Sequence, residues 1–317
     1  MRRGTKRKIF AITILLIICY FLVSTILNAI ETINFRKTYQ FKLTTHGYDE
    51  ATVKYFEDFF ETKYLDYLLE INPNEHIKPL TEQRYFILKN MDKYLDYIKN
   101  NAVDDYQKVV AIINTGVDQE FYTNIKPANT KVSPYHILVN KYYQLDASYK
   151  PSEVVLISNL YAYDNRSIDA SIYDTFKTMW QAAKDEGATL IVISGYRSYE
   201  AQEKLFESYL RTDGRVNAER YSAKAGHSEH QLGYTLDIVT HGYGLVPEFD
   251  ETKEFAWLIN NAHKYGFILR YPKEKEYITG YMYEPWHWRY VGEEVAEYIH
   301  NHDITFDEYY AFYIENN

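Results

Sequence analysis

The sequence predicts an α+β protein in which a small antiparallel sheet with flanking helices follows an apolar N-terminal helix and a helical arm. Three observations predict this. An uncharged run over residues 9–27 stands directly behind a basic cluster. From there to about residue 130, Tyr, Phe, Leu and Ile recur at three- and four-residue spacing among charges. Beyond residue 130, short β-branched runs and amphipathic helices mix without the regular strand-helix-strand alternation of a parallel sheet.

The apolar run is rich in Ile and Leu, and as a helix it reaches about 28 Å, close to a bilayer core. Arg2, Arg3, Lys6, Arg7 and Lys8 precede it, and only Arg36 and Lys37 follow closely. The positive-inside rule then keeps the N-terminus cytoplasmic and places the rest outside the cell. Leu27-Asn28-Ala29 is a poor cleavage site, and Ile17-Ile18 before Cys19 lacks the small residue that lipoprotein processing needs. An uncleaved, single-pass membrane anchor is the expectation. Cys19 is the sole cysteine, so the rest of the chain has neither a disulfide nor a thiolate nucleophile or metal ligand. Beyond the basic cluster 30 basic residues face 44 acidic ones, a balance that repels phosphate backbones and excludes nucleic acid as a partner.

In the arm, residues 51–69, 81–100 and 104–114 read as helices, and 122–134, with Asn124, Pro127, Asn129 and Pro134, as a linker. The chain therefore divides into a tail and anchor (1–30), a helical arm of open role (31–130) and an α+β domain (131–317). In the last part, 154–157 is a short apolar run, 167–186 a helix closed by Gly187, and 188–193 a strand stopping at Ser194-Gly195. Helix over 199–210, strand over 233–239, helix over 250–264 and strand over 281–291 complete the expected elements.

The chemistry concentrates in two segments. Gly226-His227-Ser228-Glu229-His230-Gln231-Leu232-Gly233-Tyr234-Thr235-Leu236-Asp237 holds two imidazoles and an aspartate, with Gly233 supplying a turn that lets ligands seven residues apart converge. Glu284-Pro285-Trp286-His287-Trp288 offers a carboxylate and an imidazole three apart. In a strand those two point to opposite faces, so they share a site only if Pro285 distorts the backbone. Hydrolytic zinc sites take three N or O ligands and leave one position for water. Spacing alone leaves open whether these residues bind a metal or are ordinary surface histidines, a packed Trp strand and an aspartate cap.

The residues nevertheless carry a resemblance. Ser228-x-His230-x-x-Gly233-x-x-x-Asp237, followed by Glu284-Pro-Trp-His287 and preceded by Ser194-Gly-Tyr-Arg197-Ser, resembles the VanY-type D-alanyl-D-alanine carboxypeptidases, zinc peptidases of bacterial cell-wall metabolism. Ile137-Leu-Val-Asn-Lys141 and Tyr277-Ile-Thr-Gly-Tyr281 extend the likeness, which spans roughly residues 132–291. The resemblance implies the Hedgehog/D-Ala-D-Ala peptidase fold, zinc on His230, Asp237 and His287, Glu284 as general base and Arg197 as the cation facing the developing oxyanion. His227 falls outside the ligand pattern. Ser228 and Gln202 are candidate donors to the substrate carboxylate, and Tyr196 and Trp286 candidate pocket walls. The implied partner is a peptidoglycan stem peptide, from which the enzyme would remove the terminal D-alanine. An L,D-carboxypeptidase, an endopeptidase on cross-links and a non-catalytic wall-binding protein are the alternatives.

Overall fold

A computed structural model describes residues 2–163 and 165–316, and the side chains of the basic cluster Arg2 to Lys8 lie outside what is described. The chain forms two compact units, residues 1–84 and 85–317. The first opens with α1 (Arg2–Arg36), whose apolar part, Leu16–Arg36, has a mean hydropathy of 1.9 and buries nothing. Helices α2 (Tyr39–His46), α3 (Glu50–Phe59), α4 (Thr62–Glu70) and α5 (Ile77–Thr81) follow. The continuous helix expected over 51–69 is two. Phe60 and Glu61 are extended, and Glu61 opens α4 as its N-cap. Leu43, Val53, Phe56, Leu65, Leu68, Ile77 and Leu80 form the small core of this unit.

The second unit begins with α6 (Met91–Asn101) and α7 (Tyr106–Thr115), the latter capped by Asp105 and ended by Gly116 in the left-handed region. In the stretch expected as helix over 81–100, Thr81 ends α5 and α-helix resumes only at Met91. Strand β1 (Lys126–Pro127) pairs in parallel with β2 (Tyr143–Gln144), so part of the expected linker is tied to the catalytic region. The Tyr142 hydroxyl also donates to the Gln119 carbonyl, 2.9 Å away.

β3 (Val154–Leu156) and β4 (Ser167–Asp169) form an antiparallel hairpin. The helix expected from residue 167 starts later, as α8 (Ala170–Asp185), because Asp169 caps it by accepting from the Ser171 backbone. Then come β5 (Ile191–Ser194), α9 (Tyr199–Tyr221), β6 (Thr235–Val239), α10 (Lys253–Asn261), β7 (Phe267–Leu269), α11 (Glu276–Thr279), β8 (His287–Tyr290), α12 (Glu293–His302) and α13 (Phe306–Tyr309). Helix α9 runs past the expected end at 210 and is interrupted at Gly214 (φ 73°, ψ 167°). The strand expected over 281–291 is shorter, because residues 281–286 turn before β8 begins.

The central sheet has four antiparallel strands in the order β5-β6-β8-β7. One of its faces packs on α8 and α10 through Phe176, Met179, Trp180, Leu236, Ile238 and Trp288, all nearly inaccessible. The register sets Ser194, Asp237 and His287 side by side across three strands. Alternation along a strand then sends these polar side chains to the face opposite Leu236, Ile238 and Trp288.

Candidate active site

His230 stands on a single 3₁₀ turn, Glu229–Leu232, that leads into β6. Gly233 ends this turn with φ 81°, and a Cβ there would approach Pro151 to 2.8 Å, so the turn requires glycine. The His230 ring is fixed by its Nδ1, which donates to the Gly195 carbonyl at 2.7 Å. Gly195 is itself constrained, since a Cβ would lie 2.2 Å from the Ser167 carbonyl oxygen. With Nδ1 occupied, His230 turns Nε2 toward Asp237 Oδ2, 3.4 Å away.

Asp237 and His287 face each other on β6 and β8, with His287 Nδ1 3.2 Å from Asp237 Oδ1. The two imidazole rings meet nearly edge to face at 5.1 Å. His230, Asp237 and His287 thus bring one donor atom each within 4.8 Å of one another, all three residues being buried. Asp237 Oδ1 has no hydrogen-bond partner, although buried carboxylate oxygens are almost always satisfied. Two imidazole nitrogens, a carboxylate and one orphaned oxygen form a donor set suited to a zinc ion.

Glu284 lies 3.4 Å from His287 Nδ1. The distortion expected of Pro285 is a turn, in which the His287 backbone N–H donates to the Glu284 carbonyl at 3.1 Å. Burial pushes the Glu284 carboxyl up to about 8, against the pull of His287 and Arg197. Burial also disfavours a charged His287, but the neighbouring carboxylates of Asp237, Glu229 and Glu284 overcome it and raise the imidazole to about 9. His230 shifts downward, chiefly through burial. Burial opposes ionisation of Asp237 too, yet the two histidines hold it well below the usual carboxylate range.

Arg197 reaches the same cleft, its Nη1 donating to Gln202 Oε1 at 2.8 Å and its Nη2 to Ser194 Oγ at 2.7 Å. Gln202, expected as a substrate donor, spends its amide group on the Ala223 carbonyl at 2.6 Å and so braces Arg197. Ser228 and Trp286 line the cleft, whereas Tyr196 is absent from its described lining. His227 is buried beside it, with Nδ1 2.8 Å from the Asn140 carbonyl. The cleft has a volume of about 330 Å³ and is completed by Leu205, Tyr209 and Tyr221 of α9, Leu245 and Pro247 of the following loop, and Tyr271.

Sequence reasoning missed Glu229, Arg270 and Arg289. Glu229 Oε1 is 2.8 Å from Arg270 Nε and 3.0 Å from Arg289 Nη1, and all three side chains are fully buried. The available signal was an arginine closing the apolar run Phe267-Ile-Leu-Arg270 and another inside Trp288-Arg289-Tyr290. A charge at such a position demands a buried partner.

The family model for VanY, D-alanyl-D-alanine carboxypeptidase, matches residues 165–293. The protein YodJ of Bacillus subtilis is 40% identical over 205 residues, covering 61% of this chain and 75% of that relative. This chain belongs to the VanY family. The D-alanyl-D-alanine carboxypeptidase of Enterococcus faecalis is 35% identical over 182 residues, 55% of this chain and 64% of the relative. Among solved structures, the LdcB LD-carboxypeptidase is 38% identical with a TM-score of 0.55, covering 61% of this chain and 92% of that one. The model match to VanY encloses Arg197, His230, Asp237, Glu284 and His287 together.

Proposed function

We propose that the protein is a zinc-dependent carboxypeptidase that removes the terminal D-alanine from D-Ala-D-Ala-ended peptidoglycan stem peptides. The observation that carries this reading is the convergence of His230 Nε2, Asp237 and His287 Nδ1, with Glu284 beside them and Arg197 across the cleft. Held by those three ligands, a zinc ion supplies the positive charge that lowers the pKa of a water toward ~7 and polarises the scissile carbonyl.

The chain's own residues do the rest. Glu284 takes a proton from the attacking water and returns it to the departing amine, a shuttle suited to a carboxylate that stands beside the three ligands in the same cleft without being one of them. Arg197, held by Ser194 and Gln202, faces the carbonyl oxygen as negative charge builds on it. Ser228 and Trp286 contact the terminal residue, and Gln202 acts through Arg197. A four-stranded antiparallel sheet whose polar face carries the site supports the reading, and the Hedgehog/D-Ala-D-Ala peptidase fold is part of the proposal. The apolar stretch Leu16–Arg36 serves as a single membrane anchor, with the second unit on the extracellular side.

The test is mass spectrometry of purified muropeptides incubated with the full chain in detergent, with and without a chelator. Loss of one D-alanine from pentapeptide stems, abolished by the chelator and restored by zinc, is the expected result. Trimming of tetrapeptides alone would reassign the enzyme as an L,D-carboxypeptidase. Zinc uptake with no peptide release would make it a wall-binding protein.

A further inference from the structure

Beneath the three ligands lies a charge network with no part in the reaction above. Glu229 precedes His230 in sequence, but its side chain leaves the cleft and meets Arg270 and Arg289. Arg270 extends the network to Asp307 at 2.5 Å, and Asp307 accepts from Asn140 Nδ2 at 2.8 Å. Phe306 lies against both guanidinium groups, 5.7 Å from Arg270 and 5.5 Å from Arg289. Both cations bear on Glu229 Oε1, which leaves Oε2 without a hydrogen-bond partner. His287 Nε2 is likewise without one. These two buried orphans face each other at 3.7 Å, a few tenths of an ångström beyond a formed hydrogen bond.

We infer that Glu229 is the positioning residue of the metal site: its Oε2 accepts the Nε2–H of His287 and so fixes the tautomer that turns the Nδ1 lone pair toward Asp237 and the metal. The inference rests on the zinc reading given above. A slight tilt of the ring closes the gap and satisfies both atoms at once. His230 is held in the complementary way, its Nδ1 donating to the Gly195 carbonyl and its Nε2 left to the metal. Each imidazole therefore spends one nitrogen on a fixed acceptor and offers the other, the arrangement by which outer partners orient metal ligands. The two arginines have a definite task in this scheme. Arginine only donates, so they draw Oε1 away and aim Oε2 at the ring.

The same geometry makes Glu229→Gln informative. The arginines select the amide oxygen, so the NH₂ group turns toward His287 Nε2. Two donors then meet unless the ring moves its proton to Nδ1, the nitrogen the metal needs. Full-length protein in detergent, stripped of metal, is titrated with zinc against a chromophoric chelator. Glu229→Gln should bind zinc ~10–100-fold more weakly than wild type. Asp307→Asn, which weakens the outer ion pair at Arg270 Nη1 but leaves both arginine contacts to Glu229 Oε1 in place and does not touch His287, should keep wild-type affinity. In ¹⁵N NMR of the zinc-loaded wild type, His287 should show a slowly exchanging Nε2–H that the Gln variant lacks.

If Glu229→Gln fails to fold, Glu229→Asp substitutes for it. That variant keeps the charge for the arginines but withdraws it from the ring, and its affinity should fall between the other two. Wild-type affinity in the Gln or Asp variant, or an equal loss in Asp307→Asn, would overturn the inference. Absence of zinc binding by the wild type would instead overturn the functional reading on which it rests.

Discussion

The floor and the rim of the cleft are built from different material. On the floor, His230, Asp237, Glu284 and His287 are buried, cross-strand register fixes two of them, and a glycine-ended turn delivers a third. On the rim, Leu205, Tyr209 and Tyr221 are half-buried on a helix broken at Gly214, while Leu245 is 44% exposed on a loop with glycines at 242 and 244. Rigid sheet positions hold reacting groups within the tolerance that chemistry needs. Loops and helix faces can vary without disturbing them. The difference teaches that the reaction belongs to the floor and the choice of bond to the rim.

Substitutions can break or sharpen this division. Outside the metal ligands and the base Glu284, the largest effect is expected at Arg197. Arg197→Ala should lower kcat on a D-Ala-D-Ala-ended peptide on the order of 10²- to 10³-fold, with much less change in KM, because its charge matters most as the oxyanion forms. A purely KM effect would move Arg197 into substrate binding. Next comes the rim. Leu245→Ala should shift the preference between pentapeptide and tetrapeptide stems by about tenfold, through KM, and leave zinc content unchanged. A fall in kcat on both stems alike would erase the distinction between rim and floor.

The smallest effect concerns what lies under the floor. Lys141 is almost fully buried, with its ammonium 4.0 Å from the Phe121 ring centre and 4.5 Å from that of Tyr281, a tyrosine of the cleft wall. Burial pushes its pKa down to about 8 from an ordinary 10.5. Below pH 8 both folded and unfolded states carry the proton, and the full cost of the buried charge is present. Between pH 8 and 10.5 the unfolded chain keeps a proton that the folded one has lost, so the contribution of Lys141 to stability rises with pH. Relative to Lys141→Met, wild type should gain at most ~3 kcal/mol across that window, read from denaturant midpoints at successive pH values. Parallel pH profiles would mean that the neighbours of Lys141 fully compensate its burial and leave its pKa at the ordinary value.

The proposed metal ligands were legible through the family resemblance, because the motifs that carry it are local. Gly233 and Pro285 mark backbone turns next to histidines and carboxylates, and the motif around Arg197 sits where a β-branched run ends. The four-stranded sheet was legible in part. Residues 188–193 and 233–239 contain β5 and β6 in large measure, but aromatic and apolar residues over 281–291 suggested a continuous strand where the first half turns. Glu229 was not legible, since its partners Arg270 and Arg289 arrive from strands 41 and 60 positions away. Gln202 was found, but chain distance does not reveal that Arg197 and the Ala223 carbonyl take both ends of its amide. The rim was illegible for a further reason: Leu205 and Tyr209 keep the spacing of any packed helix face, and nothing in that spacing says that the neighbour is a cleft.

The most direct test of the account is to measure zinc content and turnover together in Glu284→Gln. The account predicts one equivalent of tightly held zinc, as in wild type, with release of D-alanine from a D-Ala-D-Ala-ended peptide lowered on the order of 10²- to 10⁴-fold. Near-normal turnover in the zinc-loaded variant would contradict it.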